Sequence, residues 1–186
     1  MFTASDDDLV RKALKGNKKA WLSLLNRYEK PVFNFALRMT GNHHDSADLM
    51  QEIFVSVLNS LPNYRGNGAF KAWLFKIAHF RCMDYFRRQK PNVSLDDCPE
   101  LAQDIEHGSC EQSPEIDMQF SQSRQQLNSF MQALPVNQRI VVELKFFSQF
   151  TFEEIAQQLG ISANTVKSRL YAALANLKSA MEVTHV

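Results

Sequence analysis

Lys76, the adjacent pair His79 and Phe80, Met83, Arg87 and Lys90 recur at three- and four-residue spacings. On a helix that spacing puts cations, a ring and a thioether on one arc. The combination suits single-stranded nucleic acid, in which phosphates meet cations and unstacked bases meet a ring or thioether. The loop ahead of the arc, Asn63-Tyr64-Arg65-Gly66, adds an amide, a phenol and a guanidinium, groups able to pocket a flipped base. The plainer reading is a solvated basic face with its aromatics in the core. It holds for Phe70 and Trp73, which fall inward with Leu74 and Ile77, and it leaves Phe80 and Tyr64 open between the two readings. Asp84 continues the inward stripe, and Arg81 and Arg88 are spaced to pair with it.

A second constellation lies at 151–171. Thr151 with Glu154 makes a capping box. Ile155, Ala156 and Leu159 form a packed face, Gly160 can take the left-handed conformation that ends a helix, Ile161 plugs the turn and Ser162 caps the next helix. Helix, short glycine-containing turn and helix make a helix-turn-helix. In the second helix Val166, Leu170, Ala173, Leu174 and Leu177 cluster on one side. Asn164, Thr165, Ser168, Tyr171 and Ala172 fall opposite, with Lys167 and Arg169 on the flanks. Short hydrogen-bonding groups near the N-terminus suit the end that enters the major groove, and the flanking cations suit phosphates or, for Arg169, guanine. A third pattern, Asp48, Gln51, Glu52 and Val55, makes one stripe on an earlier helix. It can dock on a basic helical partner, or its acids can serve only the helix dipole.

The elements that must carry these groups read as helices throughout. Periodicity predicts helices over 5–15, 18–40 with a kink at Pro31, 45–61, 69–89, 115–134, 137–147, 151–159 and 164–181, and no strand-like alternation. The net charge of +1 hides its distribution. Residues 65–90 hold seven Lys and Arg against one acid, whereas 91–117 hold eight acids, no Lys or Arg, and three prolines. The acidic stretch has too few apolar residues for a core and reads as a linker. The expected fold is therefore all-α: two small helical domains, 1–90 and 118–186, joined by an acidic flexible linker at 91–117, the second domain carrying the helix-turn-helix.

Several classes are disfavoured. There is no HExxH and no phosphate-binding glycine loop, so an enzyme is not expected. His43-His44-Asp45 reads as a loop leading into a helix cap rather than a metal site. Cys98, His107 and Cys110 offer three soft ligands without a fourth, and no cofactor or metal is expected. The three cysteines contain no CxxC pair, the N-terminus is acidic rather than signal-like, and no apolar run would span a bilayer. A cytoplasmic protein without direct membrane insertion is expected.

Taken together, Asp45-x-x-Asp48-Leu49-x-Gln51-Glu52-x-Phe54, Tyr64-Arg65-Gly66-x-Gly68-x-Phe70-x-x-Trp73-Leu74-x-x-Ile77-Ala78, Asp84-Tyr85-x-Arg87-Arg88, Leu134-Pro135, Glu153-x-Ile155-Ala156 and Thr165-Val166-Lys167-Ser168-Arg169-Leu170 occur in one order around an acidic linker. In these the chain resembles an extracytoplasmic-function (ECF) sigma factor of bacterial RNA polymerase, a member of the sigma-70 family. The resemblance implies a region 2-like domain in which Asp45, Asp48, Leu49, Gln51, Glu52, Phe54 and Val55 bind the β′ clamp helices of core polymerase. It implies that Asn63, Tyr64, Arg65, Lys76, His79, Phe80, Met83, Arg87 and Lys90 melt and read the −10 element. It implies a region 4-like domain, placed at the β flap, in which Ser162, Asn164, Thr165, Lys167, Ser168, Arg169 and Tyr171 read −35. It further implies a linker running through the RNA-exit path, promoter DNA as ligand and an anti-sigma factor as antagonist. Two positions depart from the family: Phe80 stands where Asn is usual and can stack but not hydrogen-bond a base edge, and Ala172 stands where Arg is common. A stand-alone helix-turn-helix regulator and a helical interaction module are the alternatives; neither uses both the basic arc and the acidic stripe.

Overall fold

Side chains at the helix ends set most of the boundaries. The Ser5 hydroxyl accepts the Asp8 amide at 3.2 Å and starts α1 (Asp6–Leu14), with three aspartates at the positive end of the helix dipole. Asn17 likewise accepts the Ala20 amide at 3.1 Å to start α2 (Lys18–Thr40), and Gly41, at φ 87°, ends it. Pro31 lies inside α2 without dividing it. Asn42 caps α3 (His43–Ser60), which begins two residues earlier than its sequence pattern indicated, so His43 and His44 belong to a first helical turn rather than a loop. A 3-10 turn, Leu61–Asn63, carries Pro62 and leads to α4 (Phe70–Gln89). The second half comprises α5 (Met118–Gln132), α6 (Val136–Val142), a π-helix at Glu143–Phe147, α7 (Phe152–Leu159) and α8 (Ala163–Thr184). The expected 137–147 helix is thus an α-helix that widens into π geometry.

This computed structural model describes residues 4–66, 69–89 and 118–184, and among them there is no strand. Lys90 and the whole 91–117 segment, with Cys98, His107 and Cys110, lie outside the described residues. Val32, Phe35, Ile53, Val57 and Ala78 are fully enclosed at the centre of the first half. Phe35 meets Phe75 edge-on at 5.7 Å, and Tyr28 meets Phe70 at 5.5 Å. Val141, Leu144, Ile155, Val166 and Ala173 fill the second half.

The two halves are also packed on each other along a seam that combines polar and aromatic contacts. From α2, Arg38 makes a bidentate ion pair with Glu143, the first residue of the π-helix, whose side chain is completely buried. Arg139, 1% exposed, donates through Nη1 to the Met39 carbonyl and to Gln132 Oε1, both at 2.5 Å. Its Nη2 donates to the carbonyls of Gln132 and Leu134 at 2.9 and 3.0 Å. Asn128 Nδ2 donates to the Gly41 carbonyl at 2.9 Å, and Lys71 Nζ to the Ser148 carbonyl at 2.7 Å. Phe75 and Phe150 add a ring contact at 5.8 Å.

Truncating Phe35 should therefore open a cavity in the first half. Phe35→Ala is expected to cost ~3–5 kcal/mol in urea unfolding. Thr151→Ala removes one donor–acceptor pair of the α7 capping box and should cost only ~1 kcal/mol.

Candidate nucleic-acid and polymerase interfaces

Helix α4 has two buried faces, not one. Phe70 and Leu74 enter the first-half core as the sequence indicated, while Phe75, Cys82 and Phe86 face the seam. What remains in water is narrower than the predicted arc. Lys76, Phe80 and Arg87 are exposed, Met83 is half-buried, and Lys90 is outside the described residues. His79 belongs to the packing rather than to the cationic set. Its Nδ1 is buried without a partner, its ring leans on Phe80 at 5.5 Å, and burial pulls its pKa down to about 4, so it is neutral at pH 7.

The charge pairing on α4 also differs from expectation. Asp84 is shared by Arg87 at 3.0 Å and Arg81 at 3.6 Å. Arg88 leaves its own helix and pairs with Glu52 on α3 at 2.8 Å, because it lies on the side of α4 that faces α3. In the preceding loop Asn63 and Arg65 are exposed, and Gly66 takes φ 72°, a backbone region that suits glycine. The Tyr64 ring is half-buried in an aromatic cluster, 5.0 Å from Trp73 and 5.8 Å from Phe70, and burial raises its pKa. It anchors the loop onto α4.

The α3 stripe separates into surface and support. Asp48, Gln51 and Val55 are exposed, and Glu52 is half-exposed in its pair with Arg88. Leu49 is a core residue and Phe54 packs against that core, so they hold the stripe from beneath. Asp45 is structural: it accepts from the Tyr85 hydroxyl at 2.6 Å and from Asn42, and the Tyr85 hydrogen bond foremost holds its pKa below the usual carboxylate value.

In the helix-turn-helix, the Thr151 capping box is complete, Gly160 ends α7 at φ 68°, and Ser162 starts α8 by accepting the Thr165 amide at 3.0 Å. Val166, Leu170 and Ala173 are buried, while Leu174, expected with them, is half in water. Asn164, Lys167, Ser168 and Tyr171 are exposed, and Thr165 and Arg169 are half-buried. The hydroxyls of Ser162 and Thr165 bond each other at 2.8 Å, and Ser168 donates to the Thr165 carbonyl at 3.0 Å. Lys167 Nζ hangs over the Phe152 ring at 5.6 Å. The described residues hold no cluster of metal-ligating side chains.

The structure thus presents one helical half with an exposed cation-and-ring arc on α4, packed on a second half with a helix-turn-helix whose second helix is exposed along one face. Residues 24–91 match the family model described as Sigma-70 region 2, and residues 124–177 match that described as Sigma-70, region 4. Over 174 residues the chain is 30% identical to an ECF RNA polymerase sigma-E factor of Escherichia coli (strain K12), covering 91% of this chain and 90% of that one. Over 171 residues it is 27% identical to ECF RNA polymerase sigma factor SigW of Bacillus subtilis (strain 168), covering 87% and 89%. Among solved structures, CnrH in complex with the cytosolic domain of CnrY aligns at a TM-score of 0.70 with 22% identity, covering 97% of this chain and 99% of that one. The sigma factor RpoE bound to the anti-sigma factor NepR, from Bartonella quintana, gives 0.69 at 22%, covering 89% and 98%. The chain belongs to the ECF group of the sigma-70 family and is an RNA polymerase sigma factor. Sigma factors are initiation factors rather than enzymes. No described helix is long and apolar enough to cross a membrane.

The state of His79 gives a pH dependence. Its pKa is about 6.5 in the unfolded chain and about 4 in the fold. The unfolded chain therefore binds the extra proton first, and stability present above pH 6.5 is lost as the pH falls toward 4. Between pH 7.5 and pH 5 the wild type should lose ~2 kcal/mol more than His79→Gln, read by urea unfolding at each pH.

Proposed function

We propose that residues 1–90 act as the region 2-like domain, 91–117 as the linker and 118–186 as the region 4-like domain of a cytoplasmic sigma factor that joins core polymerase, places it on a promoter and melts the −10 element. Asp48, Gln51, Glu52 and Val55 dock on the β′ clamp helices, with Leu49 and Phe54 holding α3 in place and Asp45 fixing its start. Asn63, Arg65, Lys76, Phe80, Met83 and Arg87 take the −10 strand, with Tyr64 anchoring the loop. Asn164, Lys167, Arg169 and Tyr171 contact the −35 duplex in the major groove, and the domain that carries them sits at the β flap. An anti-sigma factor that covers these faces is the expected antagonist; the solved neighbours are themselves complexes, CnrH with the cytosolic domain of CnrY and RpoE with the anti-sigma factor NepR.

One observation supports this reading most. Val55, Phe80 and Tyr171 are 58%, 54% and 69% exposed, each standing in a different polar face. Exposed aromatic side chains such as Phe80 and Tyr171 are of the type that anchors interfaces, here beside the polar groups of each face.

Mixed with core polymerase and run on size-exclusion chromatography, the wild type should co-elute. Val55→Asp and Asp48→Arg change only surface groups and should weaken core binding by about tenfold or more while retaining native helicity. Variants that co-elute as the wild type does would remove the stripe from the interface, and a wild type that fails to co-elute would remove the sigma reading in favour of a stand-alone regulator. In the same holoenzyme, Tyr171→Ala should lower −35-dependent transcription by about 5-fold or more and leave transcription from pre-melted templates unchanged.

A further inference from the structure

Away from the three docking faces, an open cleft of about 500 Å³ lies between the middle of α2, the first turns of α4 and the π-helix with the turn that follows it. That volume falls within the roughly 300–1,000 Å³ of small-molecule sites. We propose that the cleft binds a nucleoside diphosphate, with Lys30 and Lys71 on the phosphates, Phe147 against the base, and the Asn34 and Gln149 amides at the rim. The inference does not depend on the sigma reading above.

The charge of the lining calls for an anion. Lys30, Arg38, Lys71 and Glu143 all border the cleft. Arg38 and Glu143 are committed to each other in their bidentate pair, which leaves the two lysines as surplus positive charge. Among the described residues neither lysine has an ion pair. Lys71 Nζ uses one of its three donors on the Ser148 carbonyl at 2.7 Å, which fixes the ammonium at the cleft and leaves two donors for a ligand. Lys30 is exposed one turn from Asn34 on the α2 side of the cleft. Ammonium groups act on phosphate as point charges, and two of them on opposite walls suit two linked phosphates better than a single carboxylate.

The remaining lining adds a ring and a strained amide. Phe147 borders the cleft with 37% of its surface in water, and the Arg38 guanidinium lies over the ring at 4.1 Å from its centroid. A base stacked on the open part of that ring would cover it, and Pro31 and Phe75 continue the apolar wall. Gln149 takes φ 61° and is the one non-glycine residue in the left-handed region among the described residues. It follows the π-helix cap at Ser148, a place where glycine is usual because it has no Cβ to strain. Its side chain is exposed and lines the cleft. A solvent-filled crevice accounts for the volume but not for a glutamine at a glycine position, whereas strain retained at a ligand-holding residue is a recurrent pattern. The wall that Gln149 ends is itself a π-helix, a form frequent at functional sites.

The test titrates the full chain with ADP and with GDP by isothermal titration calorimetry, beside pyrophosphate and adenosine. At least one nucleotide should bind with a Kd of about 100 µM or tighter. Pyrophosphate and adenosine, which each make only one of the two kinds of contact, should bind at least about tenfold more weakly. Lys30→Glu changes only an exposed side chain and should weaken the nucleotide at least about tenfold, with helicity unchanged by circular dichroism. Gln149→Gly should act in two opposite directions: relief of the strained backbone raises the Tm of the free chain, while loss of the amide weakens nucleotide binding by about threefold or more. A glutamine with only a structural role would show the first effect without the second. Absence of binding by either nucleotide up to about 1 mM, pyrophosphate binding as tightly as the better nucleotide, or full affinity in both variants would each overturn the site. None of these readouts involves core polymerase, so they stand whether or not the chain co-elutes with it.

Discussion

Arg139 and Glu143 stand one turn apart, both almost wholly removed from water, and the arrangement of the two halves follows from how their charges are satisfied. A buried guanidinium needs acceptors for its donors. Arg139 finds them in the carbonyl of Met39, both oxygen acceptors of Gln132 and the carbonyl of Leu134. Burial still lowers its pKa to about 10, so it remains charged at neutral pH. Glu143 is pushed the other way, up, by the same desolvation, and Arg38 opposes that push. Met39 and Arg38 both belong to the last turns of α2, so these demands pull the end of α2 into the second half.

The end of α2 must be fixed for this to work. Gly41 ends the helix in the left-handed region, and a Cβ there would lie 2.7 Å from the Gln132 side chain, the group that also accepts from Arg139. The constraint is therefore double: backbone conformation and close approach both call for glycine. From the same corner Asn42 starts α3 and Asn128 reaches the Gly41 carbonyl. The stripe on α3 and the arc on α4 are thus oriented by the turn that also receives the second half. Arg88 and Glu52 then bind α4 to α3 near the surface, where the pair contributes little stability but sets which charges face outward.

Much of this was legible in sequence where the physics is local. The Thr151 capping box, termination by Gly160, capping by Ser162 and the inward stripe of Val166, Leu170 and Ala173 depend on neighbours within one or two turns. The reading failed where the partner is distant. Helical spacing points Arg88 at Asp84, yet it pairs with Glu52, 36 residues earlier. His79 falls on the polar arc by angle, but the face beside it is covered by the second half, and that neighbour is invisible to a helical wheel. The seam left one readable trace, a charged pair embedded in the apolar run Ile140-Val141-Val142 and Leu144. Its partner Arg38 lies 105 residues away, beyond any spacing rule.

In the proposed reading the two halves divide the work of recognition unequally, and the side-chain chemistry says how. The α4 arc offers a phenyl ring, a thioether and cations. These stack on any base and neutralise any phosphate, so they favour an opened strand without specifying its sequence. At the start of α8 the hydroxyls of Ser162, Thr165 and Ser168 are already engaged in local hydrogen bonds that shape the helix start. That leaves Asn164, Arg169 and Tyr171 as the groups with free direction toward base edges, and Asn and Arg are the side chains whose paired donors and acceptors distinguish bases in the major groove. Sequence information is therefore concentrated in the second half and strand opening in the first. A factor built this way gains little from either half alone, because stacking without base readout and base readout without strand opening each complete only part of the task.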